Sequence, residues 1–404
     1  MDYSENRIVD YTDDSRIGRG SIDVPFLLLT LLLLTIGVVM VLSASFARAY
    51  YSAATKHNAA YYFSRQLGFA VVGVVAMLFA SRFPIGFYRK FAGVLLLFSV
   101  ALLLLVLVGG KKVNGARRWF EAFGITFQPS EIAKIAVILF DATLVCRYKN
   151  EMGTFKKGVL PFGVVAAVIV GLLILEPHLS ASIIILGVTA AIMFLGGTRL
   201  VWFLAGGGTV GLGLLLAINV LHYSSDRINA WLNPFADTSD TGYQIVQSLY
   251  AIGSGGFSGL GLGAGRQKYL YLPEEHNDFI FSVVCEELGF IGAALILLLF
   301  ALLIIRGYWL ALHCRDRYSF LVCGGITSLL ALQVILNVSV VTSLVPCTGI
   351  SLPFFSYGGT ALLIQLAEMG IILSISRDIP EKKLVRPRKK RPAPQENDAT
   401  TAKG

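Results

Sequence analysis

The sequence predicts an all-α integral membrane protein: ten transmembrane helices, with a large extracytoplasmic loop between helices 7 and 8 and a re-entrant segment before helix 10. Three observations lead there. Hydrophobic residues make up 55% of the 404 and charged residues 15%, whereas a soluble domain is about 25% charged. Long apolar runs recur, and a helix needs about 20 such residues to cross the hydrocarbon core with its backbone satisfied internally. Lys and Arg, finally, fall unevenly between alternate connecting loops. The mean hydropathy of +0.70 agrees, and the composition excludes a disordered chain, a collagen and a disulfide-stapled scaffold.

The runs place the spans at 24–44, 66–81, 90–109, 129–146, 159–175, 180–197, 200–220, 279–305, 319–342 and 359–376. The leader, 1–23, is acidic at Asp10, Asp13 and Asp14. Ala47-Arg48-Ala49 loosely resembles a signal-cleavage site, but that leader and nine further spans read as a retained first helix. An even number of crossings puts both termini on one side. The loops on that side, with the leader and tail, hold 23 of the 34 Lys and Arg; the opposite loops hold 10, and Lys134 lies within a span. The richer set is cytoplasmic, which makes 110–128 and 221–277 extracytoplasmic. The spanning domain is thus 24–376, followed by a basic cytoplasmic tail, 377–404. Its run Arg386-Pro387-Arg388-Lys389-Lys390-Arg391 lies beside a final span, where it meets anionic lipid rather than nucleic acid; beyond it the composition is that of a disordered segment. Cys146, Cys285, Cys314, Cys323 and Cys347 form no metal spacing and no disulfide framework.

Polar residues in or beside a bilayer are costly and mark candidate sites. Four groups stand out. The first is Asn114-Gly115-Ala116-Arg117-Arg118-Trp119-Phe120, followed by Phe127-Gln128-Pro129-Ser130-Glu131-Ile132-Ala133-Lys134. Arg117 and Arg118 at the outer face run against the positive-inside bias, and a phosphate is a good partner for a guanidinium fork. Trp119 is an interfacial anchor or a platform for a sugar ring. Glu131 and Lys134, three apart on a helix that Pro129 opens, pair structurally. The second is the long outer loop, with Arg227, Gln244 and the glycine run 253–263 that includes Gly256. No βαβ unit surrounds that run, so it is no nucleotide fingerprint; its glycines permit close approach to a ligand or to a neighbouring helix.

The third group, Leu272-Pro273-Glu274-Glu275-His276-Asn277-Asp278-Phe279-Ile280-Phe281, opens the eighth span with Asp278 where an N-cap would sit. The helix dipole favours its ionised form and desolvation opposes it; a charged carboxylate there can take a proton from a sugar hydroxyl. Glu286 and Glu287, two turns deeper, hydrogen-bond neighbouring spans. The fourth is 346–360, Pro-Cys-Thr-Gly-Ile-Ser-Leu-Pro-Phe-Phe-Ser-Tyr-Gly-Gly-Thr, which contains Ser356. Its prolines and glycines make a poor spanning helix, so a re-entrant, cavity-lining segment fits better.

Together the four groups resemble the SEDS family, the integral-membrane peptidoglycan glycosyltransferases typified by RodA, FtsW and SpoVE, with the wording around Asp278 closer to the FtsW/SpoVE branch. The resemblance spans Phe26 to Arg377. It departs at Glu176-Pro177-His178-Leu179-Ser180, where members commonly read Gln- or Glu-Pro-Asp and a glycine, and at Asn277, Ser351 and Thr360-Ala361. What it implies is polymerisation of lipid II into β-1,4 glycan strands at the outer face of the cytoplasmic membrane. Because the donor is α-linked to undecaprenyl pyrophosphate, the step inverts the anomeric carbon and needs one general base. The resemblance makes Asp278 that base. It sets Arg117, Arg118 and Arg227, or a divalent cation (Mg or Mn), against the leaving pyrophosphate, and Trp119 and the glycine loop beside the sugar. Gln244, Gly256, His276 and Ser356 are further substrate contacts. Glu131, Lys134, Glu286 and Glu287 support the site from behind. Implied partners are the growing glycan strand, a class B penicillin-binding protein and other division or elongation membrane proteins. Two other classes compete: a lipid II flippase, which would use Glu131, Lys134, Asp141 and Glu368 near the midplane, and a scaffold recruiting other wall enzymes.

Overall fold

The computed structural model describes residues 20–113, 116–122, 125–208, 230–236 and 241–379. The leader before Gly20, the tail from 380, and most of the predicted seventh span with Arg227 lie outside the described residues.

The chain is a helical bundle. Helix α1 (Val24–Tyr51) starts at an Asp23 cap whose carboxylate accepts from the Phe26 amide, with proline in the first turn. Helices α2 (Tyr61–Ala80) and α3 (Ile85–Gly109) follow. Next come α4 (Pro129–Arg147), the single turn α5 (Phe155–Gly158), α6 (Leu160–Leu175) and α7 (Leu179–Leu195). Further along the chain come α8 (Thr241–Gly255), α9 (Ile280–Leu312), α10 (Arg317–Val341) and α11 (Gly359–Ser376). Seven spans among the described residues are long and apolar enough to cross a membrane. The sequence count of ten adds α4, which carries Glu131, Lys134, Asp141 and Arg147; α7, of 17 residues; and 200–220, described as helix only to 208. Outward-facing Val71, Val75, Leu97 and Val108 on α2 and α3 form the kind of surface lipid covers.

Two elements were not expected. The loop between α3 and α4 folds as an antiparallel sheet, β1 (Lys111–Val113), β2 (Ala116–Ala122) and β3 (Ile125–Phe127). The long segment before α9 contains helix α8.

The two ends of the bundle differ in chemistry. At one, Asp23 pairs with Arg306 (3.1 Å) and the Gly20 amide donates to the Arg377 carbonyl (2.9 Å), joining the start of α1 to the ends of α9 and α11. At the other, Arg48 in the last turn of α1 forks onto Glu275, just before α9, at 2.7 and 2.8 Å. Between Asp23 and Arg48 the helix rises about 37 Å at 1.5 Å per residue, more than the ~30 Å hydrocarbon core. The residues around Glu275 therefore stand at the level of lipid headgroups. Between α10 and α11 the chain is irregular and turns back into the bundle. A Cβ on Gly37, midway along α1, would lie 2.4 Å from the Phe354 carbonyl oxygen. Phe354 and Phe355 also pack against Phe300 of α9, at 6.3 and 5.7 Å between ring centres. This is the re-entrant segment the sequence predicts.

Candidate active site

Asp278 closes the loop that leads into α9. It does not cap the helix as expected: Phe279 holds the cap position, with no side-chain hydrogen bond. The backbone of 276–278 is instead tied from outside. Tyr357 N–H donates to the His276 carbonyl (2.8 Å) and the Ser356 hydroxyl to the Asn277 carbonyl (2.8 Å). The Asn337 amide of α10 donates to the Asp278 carbonyl (2.9 Å) and to the Ile350 carbonyl (2.6 Å). These bonds leave the half-buried carboxylate unused, and no described residue hydrogen-bonds it. Gly349 lies against it at φ +69, where a Cβ would come 3.0 Å from Oδ2, so glycine is required there on two grounds. Ser180, at the start of α7, donates to the neighbouring Thr348 carbonyl. Burial pushes the Asp278 carboxyl up to about 7; the like charge of Glu274 adds to this, and Arg118 opposes it.

Arg118 comes from β2. Its guanidinium donates to the Glu176 carbonyl (3.1 Å) and to the Pro177 carbonyl, between α6 and α7. Burial raises the Glu176 carboxyl to about 8 against Arg118, and its Oε1 has no partner. His178 is held neutral, its pKa lowered to about 3 by burial and then by Arg118 and Lys134. Its Nε2 lies 3.2 Å from the Gln128 amide nitrogen. The Glu176-Pro177-His178 departure thus sits beside Arg118. The sequence carries a signal for it, three polar or helix-breaking residues between two apolar runs.

The structure separates the other expected residues. Arg117 and Arg118 go to different partners, at a point where the β1–β2 register shifts between Lys111 and Lys112. Arg117 is exposed and donates to the Leu107 and Val108 carbonyls (3.3 and 3.2 Å) at the C-terminal end of α3, a helix-end contact. Trp119 is half-buried and pairs with Lys111 across the strands. His276 is buried beside Tyr62 (4.7 Å between ring centres) and 3.6 Å from Glu275. Ser356 is buried, its hydroxyl donating to the Asn277 carbonyl and accepting from Leu352 N–H (2.7 Å). Both are expected to touch substrate; the Ser356 hydroxyl and the His276 carbonyl hold the loop carrying Asp278, and the buried His276 Nδ1 has no hydrogen-bond partner among the described residues. Gln244 on α8 lies 4.0 Å from the Cys347 sulfur.

The glycine run takes the packing alternative. Gly259 and Gly289 meet backbone to backbone, each at positive φ, and the Phe290 amide donates to the Gly256 carbonyl (2.9 Å). Glu286 accepts from the Arg266 and Gln267 amides (2.7 and 3.2 Å). Glu287 accepts from Lys268 (2.6 Å), Ser43 of α1 (2.7 Å) and the Gly263 amide (3.0 Å). Glu131 and Lys134 pair at 2.7 Å as expected. They line a cavity of about 30 Å³ with Gln333, Gln365 and Glu368, room for one or two waters. Among the described residues no three His, Cys, Asp or Glu side chains converge as a metal site; the chemistry below is derived from this chain's own residues.

The apolar helical bundle defines a multi-pass membrane protein, with an unclaimed carboxylate and an arginine at one end. The chain belongs to the FtsW/RodA/SpoVE family of cell cycle proteins, whose model matches residues 24–380. It is 41% identical over 364 residues to stage V sporulation protein E of Bacillus subtilis, covering 89% of this chain and 98% of that protein. It is 42% identical to the probable peptidoglycan glycosyltransferase FtsW of Trichlorobacter lovleyi, over 88% of this chain and 93% of the relative. Among solved structures it resembles a chain from work on the coordination of polymerization and crosslinking by a peptidoglycan synthase complex. There the TM-score is 0.72 at 28% identity, over 88% of this chain and 98% of that one. The rod shape determining protein RodA of Thermus thermophilus aligns with a TM-score of 0.65 at 28% identity, over 89% and 98%.

Proposed function

We infer that this chain is an inverting glycosyltransferase that polymerises lipid II into β-1,4 glycan strands, with Asp278 as the general base. The observation that carries the assignment is a carboxylate at the headgroup level that no described residue claims, with Arg118 close enough to act on its charge. A base whose pKa lies near the working pH is both ionised and basic enough to take a proton in the transition state. Asp278 takes the proton of the acceptor's 4-hydroxyl as that oxygen bonds the donor's anomeric carbon from the face opposite the pyrophosphate. The bond from anomeric carbon to phosphate oxygen breaks and its electron pair leaves with the undecaprenyl pyrophosphate. The proton then passes from Asp278 to water. Arg118, a permanently charged guanidinium that acts on the Asp278 carboxylate, can balance charge on the departing diphosphate.

This reading places both termini in the cytoplasm and the Asp278 end outside the cytoplasmic membrane. Arg306, Arg315, Arg317 and Arg377 support that orientation, since they gather at the other end. A class B penicillin-binding protein is the proposed partner, supported by the similarity to a chain of a peptidoglycan synthase complex. Glycan formation from lipid II in detergent tests the function, because flipping has no meaning without a two-sided membrane. Asp278→Asn keeps the shape and removes the base, so the rate should fall about 10²–10⁴-fold. A variant that polymerises at the parent rate would refute the assignment.

A further inference from the structure

The loop carrying Asp278 is held by three backbone-directed hydrogen bonds, and they are not equivalent. Those from Tyr357 and Ser356 come from the irregular segment, which is itself in need of support. The third comes from Asn337, in the penultimate turn of α10, a long and largely buried helix. Asn337 spends one amide hydrogen on the Asp278 carbonyl and the other on the Ile350 carbonyl. Ile350 follows Gly349, whose Cα faces the Asp278 carboxylate. One side chain therefore fixes both walls of the slot in which that carboxylate lies.

We propose that Asn337 is a positioning residue of the polymerisation step: its amide sets the distance between the Asp278 backbone and the Gly349 turn, and so the aim of the base. The inference rests on Asp278 being the base. The amide's own chemistry supports it. Asn337 is fully buried, and its Oδ1 has no partner, so the residue satisfies two carbonyls while leaving a buried oxygen unpaired, which is costly. A leucine of similar size would leave both of those carbonyls without a donor, so it is the amide that ties the two backbone segments together. Asn337 touches neither the carboxylate nor any open surface, so its effect is on geometry. The charged groups that bear on the carboxylate are Glu274 from its own loop and Arg118 from β2; Ser180 from α7, Gly349 and Asn337 are neutral.

The test uses purified full-length protein and lipid II in detergent, with initial glycan-forming rates taken against lipid II concentration and against pH from 5.5 to 8.5. Asn337→Leu should lower kcat about 10–100-fold, the scale of a misplaced catalytic group, with apparent KM within twofold of the parent. Water reaching a loosened carboxylate should also move the acid limb of the rate profile to lower pH. A merely structural role would reduce the amount of active protein and leave that limb where it was. Should the leucine variant fail to fold, Asn337→Ser, which keeps one donor, should show the same two shifts to a smaller degree. Unchanged kcat, an unmoved acid limb, or a rise in KM alone would overturn the proposal. Asp278→Asn run alongside separates the two readings. If it is inactive while the Asn337 variants match the parent, only the positioning role falls; if it is active, the base assignment falls first.

Discussion

The pH dependence of polymerisation is the sharpest consequence of the site. A base acts only when ionised, and burial pushes the Asp278 carboxyl up to about 7. With that value, roughly nine-tenths of the chains carry the ionised base at pH 8 and one-tenth at pH 6, so the rate should fall about tenfold across that interval. An aspartate near the ordinary value of ~3.9 would give no change there. The environment also fixes the direction of two perturbations. Glu274→Gln removes a like charge and should move the acid limb to lower pH; Arg118→Met removes an opposite charge and should move it higher. Folding stability supplies an independent readout. Because the folded carboxyl holds its proton more tightly than the unfolded one, it binds more protons in the folded state between about pH 4 and pH 7, and stability falls as pH rises through that window. Asp278→Asn should therefore unfold at a higher temperature than the parent at pH 8, with the gap closing as the pH approaches 4. Lipid II polymerisation rates from pH 5.5 to 8.5, with thermal unfolding at the same pH values, measure both. A flat profile between pH 6 and 8, or a Glu274→Gln limb that moves upward, would refute the reasoning.

Two further outcomes follow from the placement of cations. Arg118→Lys keeps the charge but cannot hold the Glu176 and Pro177 carbonyls while facing substrate, so apparent KM for lipid II should rise several-fold. Arg117→Ala should leave kcat and KM within twofold and cost only about 0.3–1 kcal/mol of stability, as for a helix-end contact; equal losses in both variants would contradict the division between them. Lys268→Met strands Glu287 without its buried cation and should cost about 3–5 kcal/mol in detergent unfolding, and Glu287→Gln in the same chain should recover much of it.

The helices were legible because a bilayer imposes one rule, a long apolar run, and α1, α3 and α9 obey it plainly. Helix α4 was legible despite its charges, since Pro129 marked its start and the spacing of Glu131 and Lys134 predicted their pairing. The sheet was less so. Asn114-Gly115 between β1 and β2 is the strongest short hairpin signal, but it was read as part of a binding motif, and the consequence was two adjacent arginines assigned one role. What parts them is the fold, which brings the α3 carbonyls to Arg117 and those of Glu176 and Pro177 to Arg118. Asn337, Arg48 and Lys268 could not be read from the sequence: each lies inside or far from a span that looks uniform, and what each does depends on a partner between 13 and 227 residues away that only the fold brings near. The glycine run had two open readings, and the backbone contact of Gly259 with Gly289 decides between them.

The carboxylates between 274 and 287 show why Asp278 stands out. Burial pushes the Glu275 carboxyl up, but His276 beside it and the two hydrogen bonds from Arg48 outweigh this and hold the group below its ordinary value. Glu274 accepts from the Asn277 side chain. Glu286 is covered by backbone amides, and Glu287 by Lys268, Ser43 and Gly263. A fold able to satisfy four acids so close in sequence could satisfy a fifth; Ser180 and Asn337 are near enough, yet they are turned to the carbonyls of Thr348, Ile350 and Asp278 itself. The donors around Asp278 hold its backbone and leave its carboxylate free. A group kept from its partners in this way is destabilising in the resting protein, and that cost makes sense where a substrate hydroxyl is the partner.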